Sequence, residues 1–416
     1  MNAIAINQYI RTAQSIGYKL CRDAIWEKDQ CNWMTMTHQV DKGKMIPCYK
    51  TMGTDFYAGT IGVGFFLAAL YNETKEQVFQ KTAEGAFKQA LNNFEKVEPA
   101  FRFSFFRGHV GIIYSLLYYH KRCNGDKIWK ELAKKILEIL YKEDITLSMN
   151  DVIDGKASGI PALIDIYEWM PSEKLKKLIF DLGDQLILDA DKTAEGWSWK
   201  GRVNASDGNK QQANLLGFSH GSAGKANAFC KLYQFCKEKK YLDAFELAIK
   251  YENFYYDARE KNWPDLRGGE SGKFTNAWCH GAPGIGLSRI RAYSVLKSDY
   301  LLTDAMNAYS TTEASLNLIF NADESQAIGF GLCHGVGGNT DLLIECSQIL
   351  EKDSMMNKAQ ELGEFGIERY ESSNLAWVNG VGNDYQIPDF MLGISGIGYF
   401  YLRLFDPRKF KSFLVL

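Results

Sequence analysis

The chain has 416 residues, 46% of them hydrophobic and 13% aromatic, which is enough apolar material for a large buried core and excludes general disorder. Its 48 basic and 50 acidic side chains leave a formal charge of −2, so no long-range field draws it to nucleic acid or to an anionic membrane surface. Nine cysteines are too sparse for a disulfide scaffold and read as cytosolic thiols, some in the core and some available to a metal.

From Met1 to Ile25, Asn, Gln, Arg, Lys and Asp interrupt the apolar pattern, so no signal peptide is expected. No stretch approaches about 18 uninterrupted apolar residues, so no membrane span is expected either. A repeat then emerges. Glycines three apart, each pair followed by an apolar run, recur at Gly59/Gly62, Gly108/Gly111, Gly221/Gly224, Gly281/Gly284, Gly335/Gly338 and Gly393/Gly396. A seventh copy starts at Gly155 with Ser158 in the second place. An aromatic residue nine positions after the second member (Tyr71, Tyr167, Tyr233, Tyr293 and Phe405) supports this register.

First glycines lie 47 to 66 residues apart, room for two helices and two connections per copy. The runs after the glycines, such as GVGFFLAALY and GIGYFYLRLF, suit helices buried on nearly every side. Between them fall helices with one charged face, as at Lys127 to Lys142 and Lys174 to Asp189. The strand signal is weak, and the polar segment 193–216 reads as a loop or a short hairpin on the rim. With eight prolines and no low-complexity linker, the expectation is a single all-α domain over 1–416. Its architecture is an α/α toroid, a double ring of about 14 helices in seven repeats.

The repeats differ just before the first glycine. In order the residue pairs there are Tyr57-Ala58, Phe106-Arg107, Ile153-Asp154, Ser219-His220, Cys279-His280, Cys333-His334 and Met391-Leu392. Equivalent positions in a ring converge on one mouth, so Cys279, Cys333 and the three histidines are expected to be neighbours. Two cysteines and one histidine fill three corners of a zinc tetrahedron and leave the fourth open, the catalytic rather than the structural pattern. Each cysteine also sits near a helix start, where the dipole favours thiolate.

The motifs GFSHGSAG, AWCHGAPGIG and GLCHGVGGN, with the tail PDFMLGISGIGYFYLRLFDP, resemble those of the lanthionine synthetase C-like family of lanthipeptide cyclases. The resemblance spans all seven repeats. It implies one zinc ion per chain on Cys279, Cys333 and His334, and a reaction in which cysteine thiols of a dehydrated precursor peptide add to dehydroalanine or dehydrobutyrine. His220 matches the family histidine for acid–base work. Asp151, in DVIDG, resembles a family aspartate and is a candidate catalytic residue, although Asp55 and Asp389 share its offset from a first glycine and point to a turn-bracing role. His280 stands where the family has His or Tyr and would stabilise the enolate oxygen. Trp278 is expected to wall the site. Thr275 departs from the pattern, since some members carry arginine there. His38, His109 and His120 receive no role, and Cys230, Cys236 and Cys346 read as core thiols of inner helices.

The resemblance further implies a leader-bearing peptide partner, a separate dehydratase or a larger bifunctional enzyme, and a cytoplasmic location. No dehydratase or kinase-like region is recognised, and DPRKFKSFLVL looks closest to the cyclase half of bifunctional members. Three other functions compete: addition of a free thiol such as glutathione to dehydrated residues, a non-catalytic peptide-binding toroid, and a glycoside-processing enzyme using Asp151 and Asp154.

Overall fold

The computed structural model of the protein describes residues 3–41, 44–201, 214–267, 273–323, 325–379 and 386–416. Helix α1 (Ala3–Asp23) is followed by two hairpins, β1 (Ile25–Glu27) with β2 (Gln30–Asn32) and β3 (Met34–Asp41) with β4 (Lys44–Thr51). Helices then come in pairs: α2 (Thr60–Thr74) and α3 (Gln77–Leu91), α4 (His109–Arg122) and α5 (Lys127–Leu140), α6 (Lys156–Trp169) and α7 (Glu173–Leu188). A short hairpin, β5 (Asp191–Thr193) with β6 (Gly196–Ser198), precedes α8 (Ser222–Cys236) and α9 (Lys239–Phe254). The chain continues through α10 (Ala282–Leu296) and α11 (Asp299–Asn317), α12 (Val336–Leu350) and α13 (Asp353–Gly366), and ends on α14 (Ile394–Phe405) and a tail.

The even-numbered helices form the inner ring. Each packs on the next, and α14 packs on α2 to close the circle. Their burial follows from sequence: every residue of α2 from Thr60 to Leu70 is buried, a helix surrounded on all sides. Outer helices bury one stripe, as Trp129, Ala133, Ile136, Leu137 and Leu140 do on α5. The outer partner of α14 is α1, so the seventh repeat is assembled from opposite ends of the chain.

The glycine pairs have a steric cause. A Cβ on the second glycine would lie 2.2 Å from the Phe56 carbonyl oxygen at Gly62, 1.9 Å from that of Trp278 at Gly284 and 1.7 Å from that of Leu332 at Gly338. The turn before each of these helices folds back until the carbonyl six residues earlier occupies the space of a side chain. The third repeat solves the problem differently, with the Ser158 hydroxyl accepting from the Phe105 amide at 3.0 Å.

Strand content is low, as expected, but the N-terminal end holds one long hairpin that was not expected from the sequence. Met34–Asp41 alternates apolar and polar residues and pairs over eight positions with Lys44–Thr51, from Met34 opposite Thr51 to Asp41 opposite Lys44. The helical repeat obscured this period-two pattern. Of the 193–216 segment, Thr193 and Gly196–Ser198 belong to the rim hairpin, while residues 202–213 lie outside the described residues.

The tail plugs the ring from the end opposite the glycine turns. Phe413 stacks on Phe105 with centroids 5.7 Å apart and also meets Phe65 and Tyr399. The Leu414 carbonyl accepts from the Trp278 indole at 2.9 Å. Truncation of Phe413 to Ala is expected to cost about 3–5 kcal/mol of unfolding free energy. A urea titration showing a loss below about 1 kcal/mol would mean that the tail is not part of the core.

Candidate metal centre

The seven turns that precede the inner helices are linked in a circle. Tyr57 N donates to Phe106 O, Ser104 Oγ to Ile153 O, Val152 N to Ser219 O, and Ser219 N to Cys279 O. The circle continues from Asn339 Nδ2 to Asn276 O, from Cys333 N to Met391 O, and from Met391 N to Tyr57 O. Inside this frame is a cleft of about 510 Å³. All seven residues immediately before a first glycine line it: Ala58, Arg107, Asp154, His220, His280, His334 and Leu392.

Ligand atoms of Cys279, Cys333 and His334 lie within 4.8 Å of one another, with the thiols buried and His334 exposed to the cleft. Cys279 Sγ is 3.5 Å from His334 Nδ1. Zinc–sulfur bonds near 2.3 Å and zinc–nitrogen bonds near 2.0 Å place neighbouring corners of a tetrahedron about 3.5–3.8 Å apart, so this donor set fits that ion with a corner left toward the cleft. Hydrogen bonds from Cys333 and then from His334 hold the Cys279 thiol well below its ordinary pKa, while the same contact raises His334. Burial and the Cys279 neighbour push Cys333 up. Tyr57 lines the cleft beside Cys333, and burial followed by the nearby thiols raises its pKa. Gly281, just after Cys279-His280, has φ +97°, and a Cβ there would lie 1.7 Å from the Thr275 carbonyl oxygen, so only glycine turns this corner.

His220 is fixed from two sides. Asp151 Oδ2 is 2.6 Å from its Nδ1, and the buried Lys225 ammonium donates to its carbonyl at 2.5 Å. Nε2, on the far side of the ring, is left for the cleft. The two oxygens of Asp151 are divided: Oδ1 accepts from the Asp154 amide at 2.6 Å, as Asp55 accepts from Ala58 at 2.7 Å, and Oδ2 makes the histidine contact. Asp154 is engaged by Arg107 at 2.9 Å, so neither carboxylate stands ready for glycoside chemistry. His280 is buried beside His220, ring centroids 6.0 Å apart, and its Nε2 has no partner among the described residues. Burial lowers its pKa to about 4, which keeps the ring neutral.

The model of the lanthionine synthetase C-like protein family matches residues 50–415. The chain belongs to that family. A lacticin 481/lactococcin biosynthesis protein of Lactococcus lactis subsp. lactis is 24% identical over 412 residues, which is 96% of this chain and 40% of that protein. The chain therefore spans less than half the length of this curated relative. Among solved structures, nisin cyclase superposes with a TM-score of 0.66 at 17% identity, covering 87% of this chain and 92% of its own. The Lin0763 protein of Listeria innocua gives 0.50 at 13% identity, covering 95% and 96%. Both likenesses bear on the fold.

Two expectations about this family member change. Trp278 does not wall the cleft: it is fully buried beneath it, between Phe106 and Phe218, because its indole serves the tail carbonyl. Cys236 is half-buried near the end of α8, whereas Cys230 and Cys346 are core thiols. His109 and His120 bond to the carbonyls of Phe94 and Gly125, and the side chain of His38 lies outside the described residues.

Sequence reasoning missed Arg267. Thr275, standing where some members carry arginine, donates to Asp265 Oδ2 at 3.3 Å. Asp265 grips Arg267 through Nε at 3.0 Å and Nη2 at 2.6 Å, bringing a guanidinium to the cleft. The pair reads as an ordinary surface i,i+2 contact in sequence, and only the tertiary position of Thr275 reveals it. Tyr57 had a readable signal, since it occupies the same repeat position as Cys279 and Cys333.

Burial opposes the charge on His220, but the Asp151 hydrogen bond and charge outweigh it and raise its pKa above 6.5; Asp151 is lowered in return. The histidine's share of the pair's stability is present below 6.5 and lost as pH rises through the folded value. The aspartate's share is lost as pH falls through its own lowered value. In Asp151→Asn the His220 imidazole titration, followed by NMR, is expected to move to lower pH. An unmoved titration would show that Asp151 braces the turn and nothing more.

Proposed function

We propose that the protein is a zinc-dependent lanthipeptide cyclase that closes (methyl)lanthionine rings within a dehydrated, cysteine-containing ribosomal peptide. The observation that carries this reading is the Cys279/Cys333/His334 group facing His220 across one cleft, with His220 held by Asp151. Cys279, Cys333 and His334 would hold one zinc ion, which when bound supplies acidity to a substrate thiol placed at the free corner.

The remaining steps belong to side chains of this chain. His220 Nε2 takes the thiol proton, and Asp151 stabilises the imidazolium that results. The sulfur forms its bond to the β-carbon of dehydroalanine or dehydrobutyrine, and the alkene electrons move onto the carbonyl oxygen. His280 and Arg267 supply donors for that oxyanion, taking the place of an arginine at position 275. His220 then returns the proton to the α-carbon. Addition consumes no co-reactant, so thiol and alkene are fully accounted for in the thioether.

The alkenes must come from an earlier dehydration, made by a separate dehydratase or by another part of a longer polypeptide. Nine free cysteines accord with a reducing cytoplasm, and no helix among the described residues is long and apolar enough to cross a membrane. The peptide, with its leader, is the expected partner.

Elemental analysis is expected to give one zinc per chain, lost in Cys279→Ala and in Cys333→Ala. Ring closure leaves peptide mass unchanged, so it is read by loss of alkylatable thiols in a dehydrated peptide. Metal-free folded wild type, or alkylation unchanged after incubation with the zinc form, would overturn the proposal. His220→Asn should keep its zinc and slow cyclisation by about 10²–10⁴-fold. Arg267→Met should lower kcat by about tenfold to a hundredfold with metal retained. A wild-type rate would remove Arg267 from the site.

A further inference from the structure

Among the described residues, the hairpin of β3 and β4 has no counterpart in the other repeats. This ribbon lies between the outer helix α1 and the inner helix α2 and belongs to no helix pair. Eight paired positions give it a length of roughly 24 Å. Its base is firmly set. The Trp33 indole donates to Leu20 O at 2.8 Å, Asn32 Oδ1 accepts from the amides of Trp33 and Met52, and Thr35 Oγ1 donates to Asp389 at 3.0 Å.

Two observations bear on what the ribbon does. The sheet consists of two strands only, so among the described residues neither outer edge has a neighbouring strand. Natural proteins commonly cover or blunt such edges because bare backbone donors and acceptors recruit another strand. Here β4 carries Pro47, which removes one donor, while β3 carries no proline. Apolar side chains also stay in solvent, with Met34 45%, Ile46 44% and Tyr49 58% exposed. The ribbon is also continuous with the metal cleft: Thr35, Met36 and Lys50 line it together with Cys279, His220 and Arg267.

We infer that the ribbon is the docking strand for the substrate peptide, which adds in extended form along the edge of β3 and is led from there into the cleft. The inference rests on the cyclase reading. A peptide fits this edge better than a folded partner because the edge leads directly to the point where a peptide thiol must arrive. Strand addition reads main-chain amides and tolerates varied side chains. That suits a substrate whose residues are dehydrated and then cross-linked while it is held. Register shifts of two residues would present successive segments to the same cleft without changing the docking chemistry.

Replacing residues 38–47 by Asn-Gly shortens the ribbon to the Thr37/Cys48 pair, which shares the hydrogen-bonded parity of Asp41/Lys44 and so can be closed by a two-residue turn. In the full-length protein, fluorescence anisotropy with a labelled dehydrated precursor peptide is expected to show about tenfold or greater weakening, with zinc content unchanged. On the wild type, N-methylation of successive peptide amides is expected to weaken binding at alternate residues only, a period that a merely structural ribbon would not produce. This scan decides the matter even where the shortened protein fails to fold. Wild-type peptide affinity in the zinc-loaded shortened form, or an N-methyl scan with no alternation, overturns the docking role. Sedimentation of the wild type as a dimer that shortening makes monomeric, with peptide affinity unchanged, would assign the edge to a second copy instead. Cyclisation of a short peptide spanning a single ring separates the two proposals: if it persists while docking fails, only the ribbon's role is lost.

Discussion

The circle of hydrogen bonds joining the seven turns is the constraint on which the site depends. Six of the seven links are direct bonds between turns and Asn339 of α12 closes the remaining gap at Asn276, so the residue before each first glycine is held at a set place around one mouth. Buried charge strengthens the frame where the chemistry gathers. Glu252, fully buried with Arg289, accepts from the amides of Gly217 and Ala223 on either side of His220. Lys156, also buried, reaches Ser148 O and Asn150 Oδ1 on the turn that carries Asp151. Such groups contribute less net stability than apolar packing would, yet they fix one geometry, because leaving either partner alone in the core is costly.

This frame explains why so much of the fold was legible. The glycine pairs mark a backbone approach that leaves no room for a Cβ, so they signal six of the seven turns, the third carrying Ser158 in the second place. Once the copies are aligned, Cys279, Cys333, His334, His220 and His280 fall on equivalent positions, and equivalence in a ring means proximity. Tyr57 was available to the same argument and was not drawn into it.

The parts that were not legible depend on contacts between residues far apart in sequence and unrelated by the repeat. Pairing of α1 with α14 leaves no local mark, because an amphipathic helix does not name its partner. Trp278 beside Cys279 looks like a site wall until the tail supplies an acceptor for its indole from below. Arg267 reaches the cleft through Asp265 and Thr275, and Asp151 combines a turn brace with a histidine contact on its two oxygens. A sequence offset can show the first of those functions and is silent on the second.

The tail that packs beneath Trp278 also sets an order of events during synthesis. Cys279 and Cys333 leave the ribosome well before residues 410–416, the segment that fills the space under them. At translation rates of ~5–20 residues per second, these thiols spend roughly four to thirty seconds without the support that positions them. Ligand geometry is therefore a late property of the molecule. Cys279, Cys333 and His334 come together fully only once α14 has met α1 and the tail has entered the ring.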